Sequence, residues 1–241
     1  MPNNALRSAP PGAKPWHRIG HRGYPYAFPP NTMRGFAEAV ALGCDMVECD
    51  VRLSADGILV LSHDPEVTAG DGKIYVTTEH AASELASLDL GQGEGVPTLT
   101  DLTAWACGRC GVMADMKCEG APVEEMVVEA LRLLPRASKI VPGAAAESRH
   151  RFREIDPTLP ISLSIGPGEL GDFETLLPAI DTEAVTWHHS LLDAERVQAL
   201  HSRGLIVYAW TVDKSETMRR LLEAGVDGII SNRADLLAAR Q

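Results

Sequence analysis

Two rhythms alternate along the chain. Short, nearly continuous apolar runs fall at 17–21, 46–53, 111–117, 139–141, 161–165, 184–187, 205–211 and 227–231. Between them, apolar residues recur at helical spacing, as at 33–42, 99–106, 124–134, 194–202 and 216–224. Continuous apolar runs suit strands covered on both faces, as in parallel sheets. Gly43, Gly204 and Gly225 stand where helices should stop, and the next strand follows within a few residues. Eight strands, each feeding a helix, predict an α/β protein of the (β/α)8 TIM-barrel class. A doubly wound sheet is the competing arrangement, but no G-x-G-x-x-G follows the first strand.

Two features interrupt this alternation. After the second barrel strand comes Asp56-Gly57, a hairpin signal, and then a further apolar run, Ile58-Leu59-Val60-Leu61. Pairing around that turn brings His63 back beside Asp50 or Glu48, depending on register. A small insertion, about 64–97, follows. A segment this long inside a barrel is usually functional. Its glycine-rich run, Gly91-Gln92-Gly93-Glu94-Gly95, lacks the Lys-Ser/Thr of a phosphate loop and reads as a flexible loop.

Composition narrows the class further. A length of 241 residues suits one barrel, typically ~250 residues, and an apolar content of 45% is enough for a sizeable core. A net charge of −11 argues against nucleic acid and anionic membrane surfaces as partners. It leaves room for an anionic small molecule, because a bound cation inverts the local field. Residues 1–15 lack the apolar centre of a secretory signal and read as a flexible N-terminal arm before a barrel domain at 16–241. No apolar run approaches the ~18 residues of a transmembrane helix. A cytoplasmic protein with reduced thiols is expected. Cys107 and Cys110 form a lone C-x-x-C with no second pair to complete a zinc site, and read as helix-end cysteines.

Polar residues with chemistry cluster where barrel strands should end. Glu48 and Asp50 lie two apart on one strand and so share a face, while Cys49 points to the helices. Asp115 and Lys117 repeat that spacing on the next barrel strand. Carboxylates inside a barrel are costly unless ion-paired or metal-bound. Convergence of Glu48, Asp50 and Asp115 points to a hard divalent cation, Mg²⁺ or Ca²⁺. An ion pair with Lys117 or Arg22 is the plainer alternative. His21 and His63 can act as acid and base near neutral pH. Arg22 can grip a phosphate bidentately, with Lys117 as a second point charge. Trp210, near the end of the seventh strand, is either pocket wall or barrel core. His188 and His189 read as surface or supporting residues, and Glu119 as solvated. Together these groups suit metal-assisted cleavage of a small phosphodiester.

In this order the motifs resemble those of the glycerophosphodiester phosphodiesterase family, phospholipase C-like TIM-barrel enzymes. The stretches are His21-Arg22-Gly23, Glu48-Cys49-Asp50-Val51, Ser54-Ala55-Asp56-Gly57 with His63-Asp64, Pro97-Thr98-Leu99, Ala209-Trp210-Thr211-Val212-Asp213, and Gly225-Val226-Asp227-Gly228-Ile229-Ile230. The resemblance implies a barrel with an inserted subdomain and a metal held at Glu48, Asp50 and an acid on the next strand. It implies acid–base roles for His21 and His63. The implied substrates are deacylated phospholipids, cleaved to glycerol 3-phosphate and an alcohol. Three departures stand out: Pro30 where relatives carry Glu, Asp115 where they carry a longer Glu, and Ser231-Asn232-Arg233-Ala234 where they tend to carry an acid and a proline. A related phospholipase C- or D-type enzyme acting on intact lipid and a non-catalytic phospho-ligand-binding barrel are the competing readings.

Overall fold

In the computed structural model, residues 16–238 are described; the expected arm at 1–15 lies outside them. The order is β1 (His17–Gly20), α1 (Met33–Ala41), β2 (Met46–Leu53), β3 (Leu59–Leu61), β4 (Glu66–Thr68), β5 (Ile74–Val76), α2 (Ala82–Ala86), α3 (Leu99–Ala106), β6 (Gly111–Met116), α4 (Val123–Leu131) and β7 (Lys139–Ile140). Then come α5 (Ala146–Ile155), β8 (Ser162–Ile165), α6 (Phe173–Leu176), β9 (Ala184–His188), α7 (Ala194–Ser202), β10 (Ile206–Trp210), α8 (Ser215–Ala224), β11 (Gly228–Ser231) and α9 (Ala234–Ala238).

Eight of these strands pair in parallel in the order β7-β6-β2-β1-β11-β10-β9-β8. A single parallel bridge, Val141 to Ile161, joins the two ends. The expected (β/α)8 barrel is therefore present, with its thinnest seam between β7 and β8. Strand direction follows from the short αβ turns. Thr32 caps α1, its Oγ1 accepting from Gly35 N–H, and the helix stops before Gly43 at φ +100°. Thr98 and Asp101 form a reciprocal capping box on α3.

The alternation along β2 divides the core in two. Val47, Cys49 and Val51 face the helices within the large outer core. Met46 joins Ile19, Met113, Ile140, Ala184, Tyr208 and Ile230 in a plug inside the barrel. Burying a side chain such as the fully buried Phe36 of α1 contributes about 1.5–3 kcal/mol. The plug fills the lower barrel, so polar side chains further along the same strands are pushed toward the C-terminal mouth.

β3 turns back antiparallel onto β2, with Val51 opposite Leu61. The insertion that follows builds the β4–β5 hairpin and α2 around its own small core of Val60, Val67, Ala82, Leu85 and Val96. The glycine-rich run differs from the flexible loop expected. Asp89 Oδ1 accepts from Gly91 and Gly93 N–H, Gln92 Nε2 donates to Ala27 O, and Glu94 Oε2 accepts from Arg34 N–H. The first two bonds fold the run on itself, and the other two seat it on the β1–α1 loop and the first turn of α1.

Candidate active site

Glu48, Asp50 and Asp115 meet at the C-terminal mouth. The parallel register sets Asp50 beside Asp115 on β6. One carboxylate oxygen from each of the three lies within 4.8 Å of the others. Glu48 is 3% and Asp50 1% exposed. Burial, then the charges of Asp50 and Asp115, push the Glu48 carboxyl well up from the usual range. Burial also raises Asp115, although Lys117 opposes it. Lys117 Nζ stands 2.7 Å from Asp115 Oδ2 and 3.4 Å from Asp50 Oδ1, and Arg22 Nε stands 3.0 Å from Asp50 Oδ2. The ion-pair and metal readings are thus not exclusive. Two cations face three acids, and Asp50 Oδ1 and Asp115 Oδ1 are buried without accepting a hydrogen bond. Hard, converging oxygen donors with unused lone pairs fit a divalent cation.

The loops after the strands hold these acids in place. Arg22 adopts φ +53°, and its backbone N–H donates to Glu48 Oε2 at 2.8 Å. Asn31, at φ +58° and buried, clamps Asp50 twice: its Nδ2 donates to Asp50 Oδ2 and its Oδ1 accepts from Asp50 N–H. Asn31 N–H also donates to Arg22 O. The setting of Arg22 therefore rests on residue 31, and the departure at Pro30 lies on the exposed side of the loop. Arg52 was not singled out from sequence. Its Nε donates to His63 O and its Nη1 to Lys117 O, tying the His63 loop to the end of β6.

His21 continues the β1 ladder, its N–H donating to Ser231 O. Its Nδ1 is 2.7 Å from Asn232 Oδ1, and its Nε2 is 3.8 Å from Glu48 Oε2. Asn232 Nδ2 donates to Asp213 Oδ2, and Asn232 N–H and Ser231 Oγ both donate to Asp213 Oδ1. Since a carboxylate accepts, the amide oxygen of Asn232 must face His21, and His21 Nδ1 carries the proton. Its Nε2 is left as a lone pair toward the acids. Burial, then Arg22, pushes the imidazole down to about 4. Asp213 ends one of the family-like stretches and Asn232 lies in a stretch that departs from the family, and their link to His21 appears only once β10 and β11 are side by side.

His63 follows β3. Ser62 N–H donates to Asp50 O, extending the hairpin and setting His63 near Asp50. The His63 side chain is 39% exposed, and its Nδ1 lies 2.9 Å from Asp64 Oδ1. That bond holds the Asp64 carboxyl below its usual range. His21, Arg22, Glu48, His63, Asp115, Lys117 and Trp210 line one cavity of about 450 Å³. Trp210 is both wall and core: it packs on the barrel plug, and its Nε1 donates to Thr186 O. His188 stacks edge-on against Trp210 and bonds Ser190, as a supporting residue would. Glu119 is not simply solvated, since its Oε1 accepts from Ala145 N–H before α5. Cys107 ends α3 as a free thiol. A larger cavity, about 840 Å³, opens at the opposite, N-terminal end around His17, Lys139 and Tyr208, away from the acid–imidazole set.

Fold and site together define a barrel hydrolase with its polar machinery at the strand C-termini, the usual face for barrel active sites. A family profile, glycerophosphoryl diester phosphodiesterase, matches residues 21–236. The chain is 31% identical to a probable glycerophosphodiester phosphodiesterase 2 of Mycobacterium tuberculosis, covering 91% of this chain and 88% of that protein. It is 29% identical to a glycerophosphodiester phosphodiesterase of Caldanaerobacter subterraneus, covering 91% and 95%. The crystal structure of a glycerophosphodiester phosphodiesterase from Agrobacterium tumefaciens superposes with a TM-score of 0.78 at 25% identity, covering 93% of this chain and 99% of that one. An Oleispira antarctica phosphodiesterase in complex with the product sn-glycerol-3-phosphate has the same fold, with a TM-score of 0.81 at 24% identity over 93% and 97% of the two chains. The chain belongs to the glycerophosphoryl diester phosphodiesterase family and is an enzyme of that class. Among the described residues, no helix is long and apolar enough to cross a membrane.

Proposed function

We propose that the protein hydrolyses glycerophosphodiesters to glycerol 3-phosphate and an alcohol, with a divalent cation, Mg²⁺ or Ca²⁺, held by Glu48, Asp50 and Asp115. Such an ion supplies charge neutralisation at the non-bridging phosphate oxygens. Arg22 and Lys117, on the rim of the acid cluster, orient the phosphate. His21 is the base: its Nδ1 proton is committed to Asn232, so Nε2 accepts the proton of the attacking oxygen. His63 is the acid: it is partly exposed, is oriented by Asp64 and delivers a proton to the departing alkoxide. The observation that carries this reading is the single cavity that brings two imidazoles, one bound to Asn232 and the other to Asp64, beside the converging carboxylates.

The test is release of glycerol 3-phosphate from a glycerophosphodiester panel with Mg²⁺, Ca²⁺ or chelator. Release that chelator stops supports the reading; no release with either metal overturns it. His63→Ala is expected to lower kcat by roughly 10²–10⁴-fold with an unchanged circular dichroism spectrum. Near-normal turnover in that variant would remove His63 from proton transfer.

A further inference from the structure

One carboxylate in the cavity takes no part in the arrangement above. Glu169 lies on the loop after β8 and lines the same cavity as His21, Lys117 and Trp210. Although exposed, it is not free to wander. Its Oε2 accepts from Gly166 N–H at 2.6 Å. A Cβ at residue 166 would meet Oε2 at 2.9 Å and Oε1 at 3.3 Å, so both oxygens are folded onto the glycine backbone. The glycine makes room for a carboxylate held at the cavity wall.

Its neighbours give it no countercharge. Arg22 and Lys117 pair with Asp50 and Asp115, not with Glu169. Asp64 serves His63, and Asp213 is filled by Asn232 and Ser231. Among the described residues Glu169 makes no ion pair, and Oε1 accepts no hydrogen bond. A fixed negative charge beside a phosphodiester repels the substrate, unless that substrate carries a positive charge of its own beyond the phosphate. Another residue of the same wall suits such a charge. Trp210 has its indole plane set by the bond from Nε1 to Thr186 O, and an aromatic face attracts alkylammonium groups.

We propose that Glu169, with Trp210, selects diesters whose alcohol bears a cationic nitrogen, of the choline or ethanolamine kind, over those with uncharged alcohols. This deepens the catalytic reading and rests on it for the position of the phosphate. Glu169 is a specificity residue that makes no contact with the reacting bond.

The variant Glu169→Gln keeps an oxygen for Gly166 N–H and removes the charge. It is assayed on glycerophosphocholine and glycerophosphoethanolamine against glycerophosphoglycerol and glycerophosphoinositol. The expected result is a loss in kcat/KM of roughly 2- to 5-fold on the two cationic diesters, carried by KM, with little change on the two uncharged ones. Glu169→Lys should reverse the preference, and added salt should shrink the wild-type preference. An equal loss on all four would mean that Glu169 shapes the loop or accepts from glycerol hydroxyls, and would overturn the proposal. No change on any of the four would also overturn it. Wild-type inactivity on the whole panel would count against the catalytic reading instead. Calorimetry with phosphocholine and glycerol 3-phosphate then decides the present point: weaker phosphocholine binding alone in Glu169→Gln supports it, and equal effects on both ligands overturn it.

Discussion

Asp115 shows how a single position depends on residues far along the chain. It is shorter by one methylene than the usual acid, and it is met by Gly143, at φ +76°, from the end of the neighbouring strand. A methyl group on residue 143 would overlap Asp115 Oδ1, the oxygen left without a hydrogen bond. The left-handed backbone would also strain any replacement. Gly143→Ala is therefore expected to swing Asp115 out of the cluster and weaken Mg²⁺ or Ca²⁺ binding by roughly 10- to 100-fold. Calorimetry reads the affinity, and circular dichroism checks that the barrel is intact; unchanged affinity would mean that Asp115 Oδ1 holds no metal. The acids, His21, His63, Arg22, Lys117 and Trp210 were legible in the sequence because each stands within or just after a predicted strand. Gly143, Asn31, Asn232 and Asp213 were visible as letters, but their roles were not. Each acts on a partner from another strand or loop, and only the closed barrel sets that pairing.

At the scale of elements, periodicity carried most of the information. β2, α3 and α7 span the residues expected from apolar spacing, because buried parallel strands and capped helices leave strong local signals. Contacts between elements leave none. Glu124, read only as part of a helix, is fully buried between α4 and α5. Its Oε1 accepts from Ser148 Oγ at 2.7 Å, Gly120 N–H at 3.1 Å and Arg151 Nη2 at 3.1 Å. Burial pushes this carboxyl up, but the bonds from Ser148, Gly120 and Arg151 outweigh it and hold it below the usual glutamate range. A carboxyl depressed by folding contributes stability above its unfolded value, about 4.3, and loses it as pH falls through the folded value. Glu124→Gln is thus expected to melt below the wild type at neutral pH, and the gap should narrow as pH falls from about 5 to about 3. Calorimetric melting across that range checks it, and a gap constant with pH would sink the assignment.

For the whole molecule, the site works against the fold that carries it. The barrel closes between β7 and β8 through one bridge, and β7 is the neighbour of β6, which bears Asp115 and ends just before Lys117. The three carboxylates are packed together beside that weakly closed side, with Arg22 and Lys117 as the paired cations. Like charges brought out of water repel, and the unfolded chain relieves them. A cation that binds the assembled cluster, and not the unfolded chain, stabilises the fold by mass action, by about 2.7 kcal/mol at a hundred times its dissociation constant. For a protein of this size each kcal/mol moves Tm by about 2–4 °C, so saturating Mg²⁺ or Ca²⁺ should raise Tm by roughly 5–10 °C over chelator. The shift should be lost in Asp115→Asn, which keeps the shape and removes one charged ligand. Scanning calorimetry with each metal and with chelator measures both. An equal melting temperature in all conditions would mean that Lys117 and Arg22 already compensate the acids, and that the cluster is a structural ion-pair network rather than a metal centre.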